Sequence, residues 1–473
     1  MLFSSLTFIL CFLPALLLVY FLIPIKNILA RRYVLLIFSV LFYSAGEPLY
    51  VFAIIACIIF TWFLTGRFDR RNGRIAYVSS ILINLLPFLF LKYYDFIADN
   101  ICGILLTEHK MIGFLPLGIS FYTFQMLSYI VDVYHGKVKR QKSPALLALY
   151  IFLFPQLIAG PIVRYAEIEK DLLNVERGGN LDSLKQGIER FIVGLGKKVL
   201  IANHVGHVAD IALQTSSEQM NVGIMWLGAL AFTMQIFFDF SGYSDMAIGL
   251  GRIFGFSFPE NFDRPYCSLS ITEFWRRWHM TLGQFFRDYV YIPLGGNRVS
   301  GKRWVLNIFI VWILTGFWHG ASWNFAIWGL YYGILLLLEK SLLSSRVVRP
   351  YESRFVKLAR WILTFLIVQL GWVVFYYDSF SLVELAQRLI IMFRFDSGWY
   401  SIRAIYPSIT ADIPWLVLSV IISTPCGGFL RKIIMNERLE LAVVKDIVLL
   451  GVFVFSIIFI VGGSYNPFIY FRF

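Results

Sequence analysis

Apolar runs follow one another along almost the whole chain, and only short polar stretches separate them. A helix needs about 20 mostly apolar residues to cross a bilayer, and a chain built from such runs has few polar positions for a soluble surface. Hydrophobic residues make up 58% of the sequence and charged residues only 15%, which lies outside the range of soluble globular proteins. The sequence therefore predicts an all-α, polytopic integral membrane protein.

The lengths of the apolar runs predict about 11 transmembrane helices, with one or two re-entrant or interfacial pieces where a run is too short to span. The candidate runs are residues 2–25, 33–45, 49–64, 75–91, 114–133, 145–159, 191–213, 223–240, 304–317, 323–338, 361–375, 413–424 and 447–461. Because the connecting loops are short, we expect one integral membrane domain over residues 1–473.

The net charge of +13 comes from basic residues that cluster in the short loops. Such loops mark the cytoplasmic side of a membrane protein, so the charge indicates a lipid bilayer and no nucleic-acid partner. The five cysteines are scattered and form no CxxC pair. Neither a disulfide framework nor a bound metal is indicated.

One histidine lies inside an apolar stretch. His319 follows Trp318, and no charged residue occurs between Arg303 and Glu339. An ionisable side chain at membrane depth is costly, so its presence favours a functional role. The alternative is a core histidine that is hydrogen-bonded to a neighbouring carbonyl. Gly316 and Gly320 flank His319, and such small residues permit close helix packing or leave room for a substrate.

A second histidine lies in an aromatic and basic stretch, residues 270–298. Thr272 and Glu273 resemble a helix start, since a hydroxyl caps free amides and an acid suits the positive end of a helix. A helix there would place Trp275 and His279 near one face. Imidazole is the side chain best suited to exchange a proton near neutral pH.

The same stretch carries Arg276, Arg277 and Arg287, which we expect near the cytoplasmic boundary. Two interpretations remain open at this point. The arginines could bind an anionic substrate. They could also be the cationic face of an interfacial amphipathic helix.

Two acids, Asp239 and Asp245, interrupt an otherwise apolar run, and Gly242 between them suggests a helix break. They could form a proton or ion relay, or support a catalytic histidine. We favour a supporting role or a satisfied hydrogen-bond network, because irregular backbone at membrane depth must be buried in protein or line a cavity. His204 and His207 lie three positions apart but lack a third ligand, and we interpret them as structural.

Four stretches together resemble the membrane-bound O-acyltransferase (MBOAT) family, and most closely its bacterial branch typified by the membrane subunit for alginate O-acetylation. The resemblance extends over nearly the whole chain. The order and spacing of the two histidine-containing segments make it specific. The stretches are FPQLIAGPIVRY, FFDFSGYSDMAIGLGRIFGF, FWRRWHMTLGQFFRDYVYIPLGGNR and GFWHGASWNFAIWG.

The resemblance implies a bundle of tilted helices around a central tunnel in the bacterial cytoplasmic (inner) membrane. It implies that His319 is the catalytic histidine and that His279 is its partner along the tunnel. Acetyl-CoA would bind from the cytoplasmic side as the acyl donor substrate, with no permanently bound cofactor. The acetyl group would move towards an extracytoplasmic polysaccharide such as alginate or cellulose, through a periplasmic partner that resembles the SGNH hydrolases.

Residue roles follow from the same resemblance. Acetyl-CoA carries phosphates and an adenine, and we expect it to contact Arg276, Arg277, Arg287, Trp275 and Trp278. The supporting residues are expected to be Trp318, Asn324, Asp239 and Asp245. The sequence leaves other functions open: peptidoglycan O-acetylation, a lipid or protein acyltransferase of the same family, or an ion-coupled transporter. It does not reveal which polymer is the acceptor.

Overall fold

The computed structural model describes residues 1–105, 111, 115–173, 181–216, 218–344, 353–394, 402–423, 439–463 and 469. Within these ranges every regular element is a helix, which confirms the predicted all-α class. Most helices end at glycine, proline or polar turns, and the apolar runs lie inside them.

The helices up to the middle of the chain are α1 (Leu13–Leu22), α2 (Ile28–Ser44), α3 (Tyr50–Thr65), α4 (Gly73–Leu105), α5 (Ile119–Tyr134), α6 (Pro144–Phe152), α7 (Phe154–Leu157), α8 (Tyr165–Leu173), α9 (Leu181–Gly196), α10 (Asn203–Leu213) and α11 (Val222–Ile253). A π-helical segment, Thr7–Phe12, precedes α1, and another, Lys197–Ala202, joins α9 to α10. Such wide turns are rare and occur often at functional sites.

The remaining helices are α12 (Ile271–Arg277), α13 (Met280–Phe286), α14 (Gly301–His319), α15 (Trp323–Ser344), α16 (Arg354–Tyr376), α17 (Leu382–Ile391), α18 (Ile402–Ile409), α19 (Ile413–Ser423) and α20 (Leu439–Gly462). A short 3₁₀ turn, Pro265–Cys267, precedes α12, and a π-helical segment, Arg287–Tyr291, follows α13.

Four of the described helices are long and apolar enough to cross a membrane. They are Gly73–Cys102, Val222–Ile253, Arg354–Tyr376 and Val443–Gly462. Shorter apolar helices occur at Thr7–Leu22, Tyr50–Thr65 and Ile413–Ser423. These elements agree with a multi-pass membrane protein. The predicted number of about 11 spans stays a prediction, because short helices cross a bilayer only with tilt or local thinning.

The chain falls into two compact units, and the first contains residues Met1–Ile192 and Tyr243–Glu260. Its core is aromatic. Phe3 stacks on Tyr243 with ring centroids 4.6 Å apart, and Phe42 contacts Phe154 at 5.5 Å. Helix α7 ends after one turn, and Gly160 follows with a φ of +107°.

The second unit contains Val193–Gly242 and Asn261–Phe473. Its core joins the first half of α11 to α12, α15 and α16, and large aromatic side chains fill it. Glycines let α14 and α15 pack closely: a Cβ at Gly316 would collide with the carbonyl of Phe325, and one at Gly329 with the carbonyl of Trp312. The single domain predicted over residues 1–473 stays a prediction.

Helix α11 runs without interruption through Gly242, so the predicted break at this glycine is wrong. The reason for a glycine is packing. A Cβ here would lie 2.8 Å from the carbonyl oxygen of Gly194 and 3.1 Å from the backbone nitrogen of Lys198. Gly242 therefore allows α11 to approach the π-helical segment between α9 and α10.

Candidate active site

The stretch around His279 is not one helix. Helix α12 begins after Ser270, whose hydroxyl accepts a hydrogen bond from the Glu273 amide at 3.1 Å, so the cap predicted at Thr272 is wrong. The helix ends before Trp278, which is extended, and α13 starts after His279. The predicted helical face shared by Trp275 and His279 is therefore wrong.

His279 itself adopts the left-handed conformation, with a φ of +43°. For a residue with a Cβ, this conformation costs about 1–2 kcal/mol. Residues held in such conformations cluster at functional sites, where the surrounding contacts enforce them. Here those contacts turn the imidazole inward, and only 2% of the residue remains exposed.

Asn261 provides the contact that fixes His279. The imidazole Nδ1–H donates to Asn261 Oδ1 at 3.0 Å, and the Thr281 hydroxyl donates to the same oxygen at 2.9 Å. The backbone amide of Met280 donates to the Asn261 carbonyl at 3.0 Å. The Thr281 backbone N–H, which can only donate, lies 3.4 Å from Asn261 Oδ1 and assigns this atom as the amide oxygen. This oxygen accepts, so we assign the proton of the neutral ring to Nδ1 and the lone pair to Nε2.

Burial also sets the charge of His279. Removal from water disfavours the imidazolium and lowers the pKa of His279 to about 3. The ring is therefore neutral at physiological pH. A phenyl ring closes one side, because Phe240 contacts the imidazole edge-on with centroids 4.7 Å apart.

His319 is the last residue of α14 and is 3% exposed. Gly320 follows in an extended conformation and turns the chain towards α15. A Cβ at Gly320 would collide with the ring of Phe325, so the predicted close approach around His319 is confirmed. Aromatic rings surround the imidazole: Trp328 lies at 5.2 Å and Phe375 at 5.1 Å between ring centroids.

Trp318 brings the two histidines together. Its indole lies 5.7 Å from the ring of His279 and 4.9 Å from the ring of His319, measured between ring centroids. Two residues that are 40 positions apart in the chain thus contact one side chain. The indole of Trp318 therefore contacts both imidazoles, and its role as a supporting residue stays a prediction.

The three predicted substrate-binding arginines lie at the surface or at half depth. Arg276 is exposed. Arg277 pairs with Glu273 at 2.7 Å, and Arg287 pairs with Asp288 at 2.7 Å. Such surface pairs are weak, at about 0–1 kcal/mol, so an anion can compete for both guanidinium groups. Their role in binding acetyl-CoA stays a prediction.

The two predicted tryptophans differ in their environment. Trp278 is 2% exposed and packs inside the core, 4.7 Å from Trp372 and 5.6 Å from Phe274 between ring centroids. Trp275 is half-buried and contacts Trp328 at 5.4 Å. Trp278 is thus a core residue with little surface for a ligand, whereas Trp275 connects to the rings around His319.

The two acids of α11 each have a cationic partner. Asp239 forms an ion pair with Lys198 at 2.8 Å and accepts a hydrogen bond from the backbone amide of Ile469 at 2.9 Å. Asp245 pairs with Arg190 at 2.6 Å. Both carboxylates are thus engaged in local interactions, as in the satisfied network left open by the sequence. A relay through them would have to break these pairs.

Asn324 joins the start of α15 to the chain after α16. Its side-chain amide donates to the backbone carbonyls of Tyr377 and Phe380, the latter at 2.9 Å. The contact fixes the turn after His319, because Asn324 lies five residues further along the chain. The supporting role expected for Asn324 stays a prediction.

A sequence model of the membrane-bound O-acyltransferase family matches residues 136–380, which is more than half of the chain. The chain belongs to the membrane-bound O-acyltransferase family. It is accordingly a multi-pass membrane enzyme, and the predicted O-acyltransferase class is confirmed. His279, His319 and Trp318 all lie within the matched residues.

Several relatives are similar over most of their length. The probable alginate O-acetylase AlgI of Azotobacter vinelandii is 39% identical over 389 residues, covering 79% of this chain and 75% of the relative. The peptidoglycan O-acetyltransferase of Helicobacter pylori is 35% identical over 409 residues, covering 79% and 77%. The teichoic acid D-alanyltransferase of Bacillus subtilis is 30% identical over 295 residues, covering 60% and 73%.

Three polar partners in this membrane-bound O-acyltransferase were missed by the sequence analysis. Asn261 holds His279, and Lys198 pairs with Asp239. Asp412 binds both histidines of α10, accepting from Nδ1 of His204 at 2.6 Å and of His207 at 2.7 Å. This contact agrees with the structural role expected for the two histidines. Their spacing was a usable signal for a shared partner, but it did not identify Asp412.

Proposed function

We propose that this membrane-bound O-acyltransferase moves acetyl groups from cytoplasmic acetyl-CoA across the bacterial cytoplasmic membrane, towards O-acetylation of an extracytoplasmic polysaccharide. The names of its relatives support this, since they include alginate O-acetylases and a peptidoglycan O-acetyltransferase. Alginate, cellulose or a similar exopolysaccharide is the proposed acceptor. A periplasmic protein resembling the SGNH hydrolases completes the transfer. The inner membrane is the proposed location because acetyl-CoA is cytoplasmic.

The observation that carries the proposal is the pair of buried histidines against Trp318. His319 acts as general base and takes the proton from an acceptor hydroxyl. The oxygen attacks the thioester carbonyl carbon, a new C–O bond forms, and the C–S bond breaks. The proton then returns from His319 to the departing sulfur, which leaves as coenzyme A. General-base help of this kind contributes about 10²- to 10⁴-fold in rate.

The state of His279 limits what its ring can do beside His319. Its Nδ1–H is used by Asn261, and the neutral ring offers only a lone pair at Nε2. A lone pair accepts a hydrogen bond or a proton, but it does not polarise a carbonyl oxygen. We therefore assign His279 to orienting the acceptor hydroxyl or relaying its proton.

The basic residues of α12 and the following π-helical segment suit the phosphates of the donor. Arg276 is exposed, Arg277 pairs with Glu273 at 2.7 Å, and Arg287 pairs with Asp288 at 2.7 Å. Guanidinium groups bind phosphate through paired, charge-assisted hydrogen bonds. Charge reversal at Arg276 should raise the KM for acetyl-CoA and leave kcat unchanged.

The first test is acetyl-CoA consumption by the purified enzyme in detergent with an acceptor polysaccharide present, with wild type beside His319→Ala. We expect at least a hundredfold loss, in line with general-base catalysis. His135→Ala is the matched control, because His135 is an exposed loop residue and its loss should leave turnover unchanged. If His319→Ala keeps more than about a tenth of wild-type turnover, the general-base role is wrong.

Competition assays distinguish the possible substrates of the enzyme. Acetyl-CoA against palmitoyl-CoA distinguishes the proposed acetyl donor from the long acyl chains used by a lipid or protein acyltransferase. Peptidoglycan is the second acceptor to test, because the Helicobacter pylori relative is a peptidoglycan O-acetyltransferase. Binding of acetyl-CoA without turnover would indicate that the periplasmic partner is obligatory. An enzyme that binds no acetyl-CoA would contradict the proposal.

A further inference from the structure

Three buried hydrogen-bond donors belong to aromatic rings that contact one another, and one of these rings, that of Trp328, contacts His319. They are the indole Nε1 of Trp275, the indole Nε1 of Trp328 and the hydroxyl of Tyr332, which we call the donor cluster. Their rings contact one another: Trp275 lies 5.4 Å from Trp328 and 4.8 Å from Tyr332, and Trp328 lies 5.2 Å from Tyr332, between centroids. None of the three atoms has a hydrogen-bond partner among the residues that the structure describes.

Buried donors of this kind are costly and rare. An N–H or O–H that leaves water without a new acceptor loses the free energy of its hydrogen bonds. Trp328 and Tyr332 are both 0% exposed, and the Tyr332 hydroxyl lies against Gly371 of α16. Two comparable groups of the same unit have acceptors: the Tyr331 hydroxyl donates to the Ile367 carbonyl at 2.8 Å, and Trp361 Nε1 donates to the Tyr266 carbonyl at 2.8 Å.

The donor cluster needs acceptors rather than donors. An indole nitrogen can only donate, and a buried tyrosine hydroxyl donates first to any carbonyl within reach. The cluster also borders the catalytic histidine, because Trp328 contacts the ring of His319 at 5.2 Å. A ligand that offers carbonyl oxygens in a row next to the reacting group would satisfy all three donors.

We propose that the donor cluster binds the carbonyl oxygens of the acyl donor. Trp328 donates to the thioester oxygen, and Trp275 and Tyr332 donate to the amide carbonyls of the pantetheine arm. This inference rests on the proposed use of acetyl-CoA. It also supplies what His279 lacks, because the neutral ring with its Nδ1–H bound to Asn261 has no proton to offer a carbonyl.

The chemistry at the thioester follows from this placement. As the acceptor hydroxyl attacks, the carbonyl oxygen gains negative charge, and a fixed N–H donor stabilises that charge most in the transition state. When the C–S bond breaks, the oxygen becomes an ester carbonyl and the hydrogen bond weakens again. Trp328 is then a catalytic residue, and the other two members position the donor.

The test compares two neighbouring tyrosines of α15. Tyr332→Phe removes a hydroxyl that lacks a protein acceptor, and Tyr331→Phe removes one that is bonded to the Ile367 carbonyl. For Tyr332→Phe we expect an unchanged or raised Tm without ligand, and a Kd for acetyl-CoA that rises about 3- to 10-fold, as for one lost hydrogen bond. For Tyr331→Phe we expect a lower Tm and an unchanged Kd.

The outcomes separate this inference from the proposed function. If wild type does not bind acetyl-CoA, the proposed function fails. If wild type binds it and Tyr332→Phe binds it equally well, the donor cluster is not part of the donor site. A drop in Tm for Tyr332→Phe with an unchanged Kd would instead assign its hydroxyl to a structural water.

Trp328 is tested by the difference between acetyl-CoA and free coenzyme A. Coenzyme A has the pantetheine amides but no thioester carbonyl. Trp328→Phe should therefore lower kcat at least tenfold and leave the Kd for coenzyme A within about twofold of wild type. If the affinity for coenzyme A falls as much as kcat, Trp328 binds the arm and not the reacting carbonyl.

Discussion

Replacing Asn261 with aspartate places a carboxylate where the amide now accepts the Nδ1–H of His279. The two atoms lie 3.0 Å apart, and the Thr281 hydroxyl already donates to the same oxygen. Asparagine and aspartate have nearly the same shape, so the geometry should survive. What changes is the charge next to the imidazole.

The size of the effect follows from that distance. At 3 Å and an effective dielectric constant of about 20, opposite charges attract by about 5 kcal/mol. Desolvation of the new carboxylate reduces this gain, and a neighbouring opposite charge typically shifts a pKa by about 1–3 pH units, or about 1.4–4 kcal/mol. Burial holds the pKa of His279 at about 3 in wild type. In Asn261→Asp, the pKa of His279 should therefore rise to about 4–6.

The direction of the pKa change at His279 determines which pH dependence should be measured. Wild-type His279 is neutral above its pKa of about 3, so Nε2 stays unprotonated throughout the usual assay range. In Asn261→Asp the ring becomes protonated as the pH falls through the raised pKa, and its Nε2 can no longer accept a proton. The pH profile of kcat/KM for acetyl-CoA reports the ionisations of the free enzyme. On the acidic side of this profile, Asn261→Asp should therefore lose activity through one protonation step that wild type does not show.

The control is Asn27→Asp, which introduces the same charge at the N-cap of α2, where the side chain accepts from the Ala30 amide. Aspartate is well tolerated at such a position, so the profile should match wild type. An Asn261→Asp profile that also matches wild type at every pH would refute the tautomer assigned to His279, or its part in the reaction.

Two further predictions concern stability. Gly316→Ala should lower the Tm and the activity, because the new Cβ collides with a backbone carbonyl of α15, whereas Gly301→Ala meets no atom within 4 Å and should be neutral in thermal unfolding. Lys198→Ala should destabilise the enzyme by about 3–5 kcal/mol, since it leaves Asp239 buried without its cation. Lys198→Met combined with Asp239→Leu should recover part of that loss, and a double variant less stable than Lys198→Ala would contradict the ion-pair reasoning.

The parts of the site that the sequence predicted are those encoded locally. His319 stands out because an ionisable residue in an apolar run is rare and the glycines beside it are visible in the same few letters. Its position at the end of α14, packed close to α15, follows from those glycines.

The parts that were missed depend on contacts between distant segments. The break at His279 occurs without a glycine or proline between α12 and α13, so local propensity favours one continuous helix. The break results from a tertiary contact, because Asn261 binds the imidazole from 18 positions away. The same holds for the ion pair between Lys198 and Asp239. The two residues are far apart in the sequence, and no periodic pattern predicts that they pair.

The aromatic rings around His319 have a consequence for the enzyme when no acceptor is bound. A general base next to a thioester would activate a water molecule as readily as a sugar hydroxyl, and the donor would be hydrolysed to acetate. Rings of Trp318, Trp328 and Phe375 surround this imidazole, and only 3% of the residue is exposed. Under the proposed function, the same packing that desolvates the base therefore prevents a futile drain on cellular acetyl-CoA while no acceptor is present.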